Sequence, residues 1–194
     1  KAVDDTRGVV LTLDQKPILA MFTSNAGWHT ANSEHIFGRD LPYLRGREDP
    51  FSPGQPMGRW TRSFTGSEVS SLLSGVLGKQ LGKIEQIRPT DISPSGRVTR
   101  GEVGTARGSY EMKMRPTLGR ALKLPEILLA IRKEGSRFVF SGGGFGHGVG
   151  MSQWGAKTMA DKGRTAAEIL AFYYRGTELR ALTSDGNGTE IDRR

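Results

Sequence analysis

Residues 142 to 156 read GGGFGHGVGMSQWGA, and no other stretch of the chain asks so much of the structure around it. Glycine gives up more backbone freedom on ordering than any other residue, so a run this rich in it weakens a helix or a strand. Left alone it would be mobile, yet Phe145, Val149, Met151 and Trp154 within it favour burial. The run is therefore expected as an ordered loop held from outside. Phe138-Val139-Phe140 reads as a buried strand entering it, and Ser152-Gln153-Trp154 as the start of a helix leaving it. Phe145 or Met151 is expected to turn into the core, and His147, the loop's one ionisable side chain, to face a cleft.

A glycine-rich turn between a strand and a helix invites a phosphate-binding reading. The spacing denies it. Gly142 and Gly144 would need a third glycine where His147 stands, and Gly144 and Gly146 one where Val149 stands. In Gly155-Ala156-Lys157-Thr158 an alanine interrupts a Walker-type motif. A metal site lacks its usual signature, because His29, His35 and His147 form no i,i+4 pair with a glutamate on a helix. The absence of cysteine excludes disulfides, thiolate ligands and Cys nucleophiles. Neither a metal nor a cofactor is expected.

Lys and Arg number 28 against 20 Asp and Glu, and the resulting +8 fits a polyanionic partner: nucleic acid, an anionic membrane or a bacterial wall polymer. It fits a solvated basic surface equally. No aromatic-interleaved basic motif supports nucleic acid, and no long uncharged apolar run encodes a membrane span. What remains for the glycine run is the wall of a cleft. Glycines let a backbone approach a ligand, and Ser152, Gln153 and Trp154 add a hydroxyl, an amide and an aromatic face, which suit a sugar. On the residues alone, a second reading stands beside it: His147 bonds only to backbone and the glycines only permit tight packing.

The rest of the chain reads as α+β, with mixed, largely antiparallel strands and a few short helices. With 36% hydrophobic residues it has material for a core. Residues 8 to 24 form two strand-like runs around Asp14-Gln15-Lys16, a hairpin signature. Residues 40 to 60 are proline-bearing and read as an ordered surface loop. Thr65-Gly66-Ser67-Glu68 fits a capping box opening a helix to about Leu77. Strands are expected at Ile84 to Ile92, Arg97 to Val103 and Ser109 to Met114, and a short helix near Leu118 to Leu122. EILLAIRKEG, from Glu126, is open between helix and strand; helices follow near Met151 to Lys162 and Thr165 to Tyr173. The opening KAVDDTRG has no signal-like apolar region and reads as the start of a mature or excised piece.

GFGHGVGMSQWGA at 144 to 156 closely resembles the signature of the stage II sporulation protein D (SpoIID)/LytB family of bacterial cell-wall proteins. The run AVDDTRGVVLTLDQKPILAMFTSNAGWHT, then Leu41 to Arg45, then Ala160 to Leu179 with Tyr173-Tyr174-Arg175-Gly176-Thr177, resemble further segments of that family. Most of residues 2 to 180 is covered, with about 75 to 135 poorly marked. The resemblance implies action on peptidoglycan: SpoIID-type members are lytic transglycosylases of glycan strands lacking stem peptides, and LytB relatives enhance a cell-wall amidase. In the lytic reaction one carboxylic acid protonates the glycosidic oxygen. As carboxylate it then takes the proton of the muramic C6 hydroxyl, which closes a 1,6-anhydro ring.

The family places that acid, a glutamate, on an N-terminal helix that residues 1 to 194 do not contain, and no Glu here matches it by motif. Where the family often has His-Ser and Gly-Gly, this chain has Thr23-Ser24 and Gly27-Trp28, and the Cys and His zinc ligands of some members have no counterpart. Residues 1 to 182 are accordingly expected as a SpoIID-like domain, N-terminally incomplete, with 183 to 194 a disordered tail. No residue takes the acid's role; His147 supports it by orienting substrate or acid. The substrate cleft is assigned to Ser24, Thr30, Tyr43, Gly146, His147, Gly148, Ser152 and Gln153. The implied partners are peptidoglycan glycan strands and a cell-wall amidase, and the implied location is the wall side of the bacterial envelope, after export. The alternative is a non-enzymatic wall-binding or amidase-enhancing module, which keeps the cleft and needs no acid.

Overall fold

Asp14 and Gln15 take left-handed backbone angles, φ 48° and 64°, and close a tight hairpin where the sequence places one. The computed structural model describes residues 1–182 and 189–190. A short helix α1 (Ala2–Asp5) precedes the hairpin strands β1 (Val9–Leu13) and β2 (Lys16–Pro17). Next come β3 (Phe22–Thr23), α2 (Ser33–Phe37) and a 3-10 turn over Pro42–Leu44. Strand β4 (Trp60–Thr65), within and just beyond the expected loop, was not legible in the sequence; it leads directly into α3 (Gly66–Leu77). Both halves of the Thr65–Glu68 capping box are formed, and Gly78 ends α3 in the left-handed conformation.

The antiparallel sheet of β5 (Ile84–Ile92), β6 (Val98–Thr105) and β7 (Gly108–Lys113) follows. Where a short helix is expected, a π-helical turn covers Met114–Gly119. The open segment after Glu126 becomes strand β8 (Leu129–Glu134), whose Leu129 is buried while Ala130 and Arg132 are exposed, the period of two of a half-buried strand. It pairs with β9 (Arg137–Gly142), which also pairs with β4. After the glycine loop, β10 (Met151–Ser152) lies parallel to β3, α4 (Gln153–Asp161) and α5 (Ala166–Tyr173) pack together, and β11 (Glu178–Ala181) returns to β1. Strand β12 (Thr189–Glu190) pairs with β11. The rest of the expected disordered tail lies outside the described residues.

The result is an α+β fold with mostly antiparallel pairing. Its apolar interior is divided into two clusters. Val69 and Leu73 of α3, Val103, Met114, Phe138 and Phe140 belong to the first. Leu44, Val149, Met159, Tyr173 and Tyr174 belong to the second. Ile36 of α2 packs against both. The glycine loop runs from Phe140 in one to Val149 in the other, each with no exposed surface. Burying side chains of this size stabilises by roughly 1.5–3 kcal/mol each, so both ends of the loop are anchored by hydrophobic burial.

Candidate functional site

The loop's alternation of glycine and larger residue has a geometric cause. Gly144, Gly146, Gly148 and Gly150 all have positive φ, while Phe145, His147 and Val149 between them do not. At Gly148 a Cβ would lie 2.0 Å from the Arg97 guanidinium, and at Gly150 1.9 Å from the Met21 carbonyl oxygen, so neither position admits a side chain. The loop is laced to its surroundings. Phe145 and Asn25 exchange backbone hydrogen bonds of 2.8 and 3.1 Å, and Gly144 N–H donates to Met57 O at 2.9 Å. The Thr23 hydroxyl donates to Phe145 O at 3.1 Å and accepts from Gly148 N–H at 3.2 Å, and Trp60 Nε1 donates to Gly144 O at 3.0 Å.

His147 sits half-buried in this frame. Val149 N–H donates to its Nδ1 at 3.1 Å, which assigns the proton of the neutral ring to Nε2, and the ring also hydrogen-bonds the Phe22 backbone. Its ring meets that of Phe37 edge-on, centroids 5.2 Å apart. Burial pulls its pKa below the ordinary histidine value, and the Arg115 charge pulls further in the same direction; Glu126 opposes them. The side chain is thus a neutral, oriented imidazole at neutral pH.

Beneath the loop lies a charge cluster the sequence did not reveal. Arg97, wholly buried, donates to His29 O at 2.7 Å and Ala26 O at 3.2 Å and faces Glu126 at 3.5 Å. Glu126, with a fully buried side chain, also pairs with Arg115, whose Nη2 in turn donates to Gly146 O at 2.7 Å. One carboxylate therefore holds two guanidinium groups: Arg115 grips the glycine loop at Gly146, and Arg97 the neighbouring segment at Ala26 and His29. Removing one partner of such a buried pair typically costs ~3–5 kcal/mol. The signal available in the sequence was Glu126 itself, a charge at the head of the apolar run EILLAI; Arg97 has no local signal.

The residues assigned to the cleft divide into two groups. Ser24, Gly146 and His147 are half-buried and Gln153 is exposed at the first turn of α4, so these remain at the surface of the loop region. Thr30, Tyr43, Gly148 and Ser152 are buried, and the three hydroxyls among them are spent on partners inside the fold. The Thr30 hydroxyl exchanges hydrogen bonds with the Arg47 backbone, and Tyr43 OH accepts from Leu19 N–H at 3.2 Å. Ser152 caps α4 by accepting from Gly155 N–H, and it also accepts from Ala26 N–H and bonds Ser52 Oγ at 2.7 Å. Ser52 and Tyr173 both donate to the buried Asp49, at 2.7 and 3.0 Å, and burial raises the Tyr173 phenol well above its usual range. These hydroxyls hold the fold, because a buried polar group must spend its hydrogen bonds internally. Of the loop's large residues, Phe145 is exposed and Met151 packs against the second apolar cluster.

Next to His147 opens a groove of about 600 Å³, lined by Phe37 and Ile36 of α2, by Lys113 and Arg115, and by Asp91 and Arg100 from the β5–β7 sheet. Phe37 and Arg115 are the shared walls: one touches the His147 ring, the other holds the Gly146 carbonyl. Exposed Phe22 and Phe145 extend the apolar surface around the loop. Among the described residues no group of three or more His, Asp or Glu is placed to hold a metal ion, and no helix is long and apolar enough to cross a membrane.

An α+β body whose two apolar clusters are joined by a glycine-histidine loop at a groove defines a specific class of domain. The chain belongs to the SpoIID/LytB-like family, and its residues 30–150 match a family model that is itself described only as a domain of unknown function (DUF8618). It is 31% identical over 189 residues to stage II sporulation protein D of Bacillus subtilis (strain 168), covering 92% of this chain and 50% of that protein. It is 31% identical to the protein of the same name from Bacillus amyloliquefaciens, over 94% of this chain and 51% of that one. With the amidase enhancer of Bacillus subtilis (strain 168) it shares 29% identity, over 92% of this chain and 32% of that one. The chain thus spans about half the length, or less, of these relatives.

Proposed function

We infer that this chain is the glycan-binding body of a peptidoglycan-acting domain of the lytic transglycosylase type. The observation that carries the reading is His147: neutral, oriented by the Val149 N–H on its Nδ1, and set against Phe37, which lines a groove together with Arg115, the side chain that holds the Gly146 carbonyl. A neutral imidazole held this way is suited to orient a sugar or an acid, and unsuited to donate a proton. The carboxylates near the loop are engaged: Glu126 by Arg97 and Arg115, Asp49 by Ser52 and Tyr173, Glu34 by Arg45. As the family resemblance implies, we assign the general acid that protonates the glycosidic oxygen to a residue outside 1 to 194. Without it the leaving group departs as an alkoxide, and general acid catalysis is typically worth ~10²–10⁴-fold.

The test is mass spectrometry of products from glycan strands stripped of stem peptides. The 194 residues alone should release nothing above background, whereas the full-length protein should give 1,6-anhydromuramic ends, reduced by His147→Ala without loss of the fold. Release of anhydro products by the 194 residues alone would overturn the assignment of the acid. A second reading, an amidase-enhancing module, is favoured by the relative named amidase enhancer and by the exposed Phe22 and Phe145. It predicts that the full-length protein stimulates a wall amidase and yields no anhydro ends.

A further inference from the structure

Two cations in the groove beside His147 are less fully paired than its other charges. Arg100 forms a two-pronged pair with Glu111, at 3.1 and 3.0 Å, Glu34 is held by Arg45 at 2.8 Å, and Asp91 accepts from Thr99. The ammonium of Lys113, the cross-strand neighbour of Arg100, has no hydrogen bond or ion pair among the described residues. Arg115 engages Glu126 and Gly146 through Nη2 alone, and its buried Nε has no hydrogen-bond partner. Because Glu126 already faces Arg97, it cannot balance both guanidinium charges. Arg115 is also held in place: it stands on the π-helical turn Met114–Gly119, pinned from below by a sealed carboxylate. Nearby, Phe37 is about half exposed and offers the aromatic face on which a sugar ring packs its C–H groups.

We propose that Lys113 and Arg115 form a carboxylate-recognition corner, so that the ligand of this groove is an acidic sugar and not a neutral one. The proposal rests on the glycan-binding reading above and adds the group on the sugar that is recognised. A planar guanidinium held at one edge and a mobile ammonium beside it present donors to a carboxylate that neither the amide nor the alcohol form of the ligand matches. In a wall polymer the carboxylate can stand on the sugar itself, as a lactyl ether, or at the end of a stem peptide.

The experiment measures binding of the chain at fixed salt to three probes: peptide-free glycan strands with free lactyl carboxylates, the same strands with those carboxylates converted to primary amides, and free stem peptide. Intact strands should bind about 10-fold more tightly than amidated ones, the scale of a charge-assisted hydrogen bond. Lys113→Gln and Arg115→Gln should each bring intact strands down toward the amidated level, while Lys16→Gln, on the distant hairpin, should keep the difference. Should Arg115→Gln fail to fold, as judged by its melting curve, Lys113→Gln carries the test alone. Equal binding of intact and amidated strands overturns the carboxylate corner and leaves glycan binding standing; no binding of either overturns both. Stem peptide binding as tightly as the strands, or Lys16→Gln losing as much as Lys113→Gln, overturns recognition of an acidic sugar.

Discussion

His147 shows what a residue gains from standing among glycines. The glycines let the backbone close around Thr23 and Arg97, and the imidazole is then half-buried with its Nδ1 held by the Val149 N–H. Its depressed pKa has a consequence for stability. In the unfolded chain it titrates near its ordinary value of about 6.5, and in the folded chain lower, first because of burial and then because of Arg115. Between those two values the unfolded state binds the proton and the native state does not. The contribution is therefore fully present above pH ~6.5 and is lost as pH falls through the interval below it. The melting temperature of the native chain should fall between pH 7.5 and 5.5, and His147→Asn should flatten that slope. An unchanged slope in the variant would place the acid sensitivity elsewhere.

At the scale of elements, the loop between β9 and β10 is rigid because its glycines are not interchangeable with alanine. Gly148 combines φ +75° with a Cβ position only 2.0 Å from Arg97 Nη2, and Arg97 cannot yield because it is buried and holds His29, Ala26 and Glu126. Gly148→Ala should therefore destabilise by at least ~3 kcal/mol, combining backbone strain with a disrupted buried ion pair. Gly163→Ala is a useful contrast. It has a similar φ of +82° but no atom within 4 Å of the added Cβ, so only the backbone term of ~1–2 kcal/mol applies. Denaturant melts of the two variants check this, and equal losses would mean that the packing on Arg97 contributes nothing.

For the molecule as a whole, the proposed function together with the net charge of +8 and the cationic groove edge predicts an adhesion to anionic wall material that depends on salt. Screening shortens from ~10 Å at 0.1 M salt to ~3 Å at 1 M. Retention on purified sacculi should accordingly drop steeply across that range. Carboxylate recognition at short range should leave a salt-resistant remainder that a neutral control protein lacks. Retention equal to the control at every salt level would remove the wall from the list of partners.

Much of this was legible in the chain because it is local. Capping at Thr65, the hairpin at Asp14-Gln15, the three strands from Ile84 to Met114 and the glycine-histidine loop are each dictated by residues a few positions apart, through turn geometry, side-chain capping and alternation. The family resemblance rested on the same loop. What the linear order hid are contacts between distant segments. Ser152 reads in the sequence as a ligand-facing hydroxyl, and nothing local to it announces its bond to Ser52, a hundred positions away. Likewise β4 and β11 exist because β9 and β1 offer them an edge, not because of their own patterns. Arg97, Glu126 and Arg115 show the same limit most sharply: three charges that would each be solvated in isolation are drawn together under one loop. Burial is a property of everything packed around a group, and a charge becomes tolerable inside only when the fold brings its counter-charge from elsewhere in the chain.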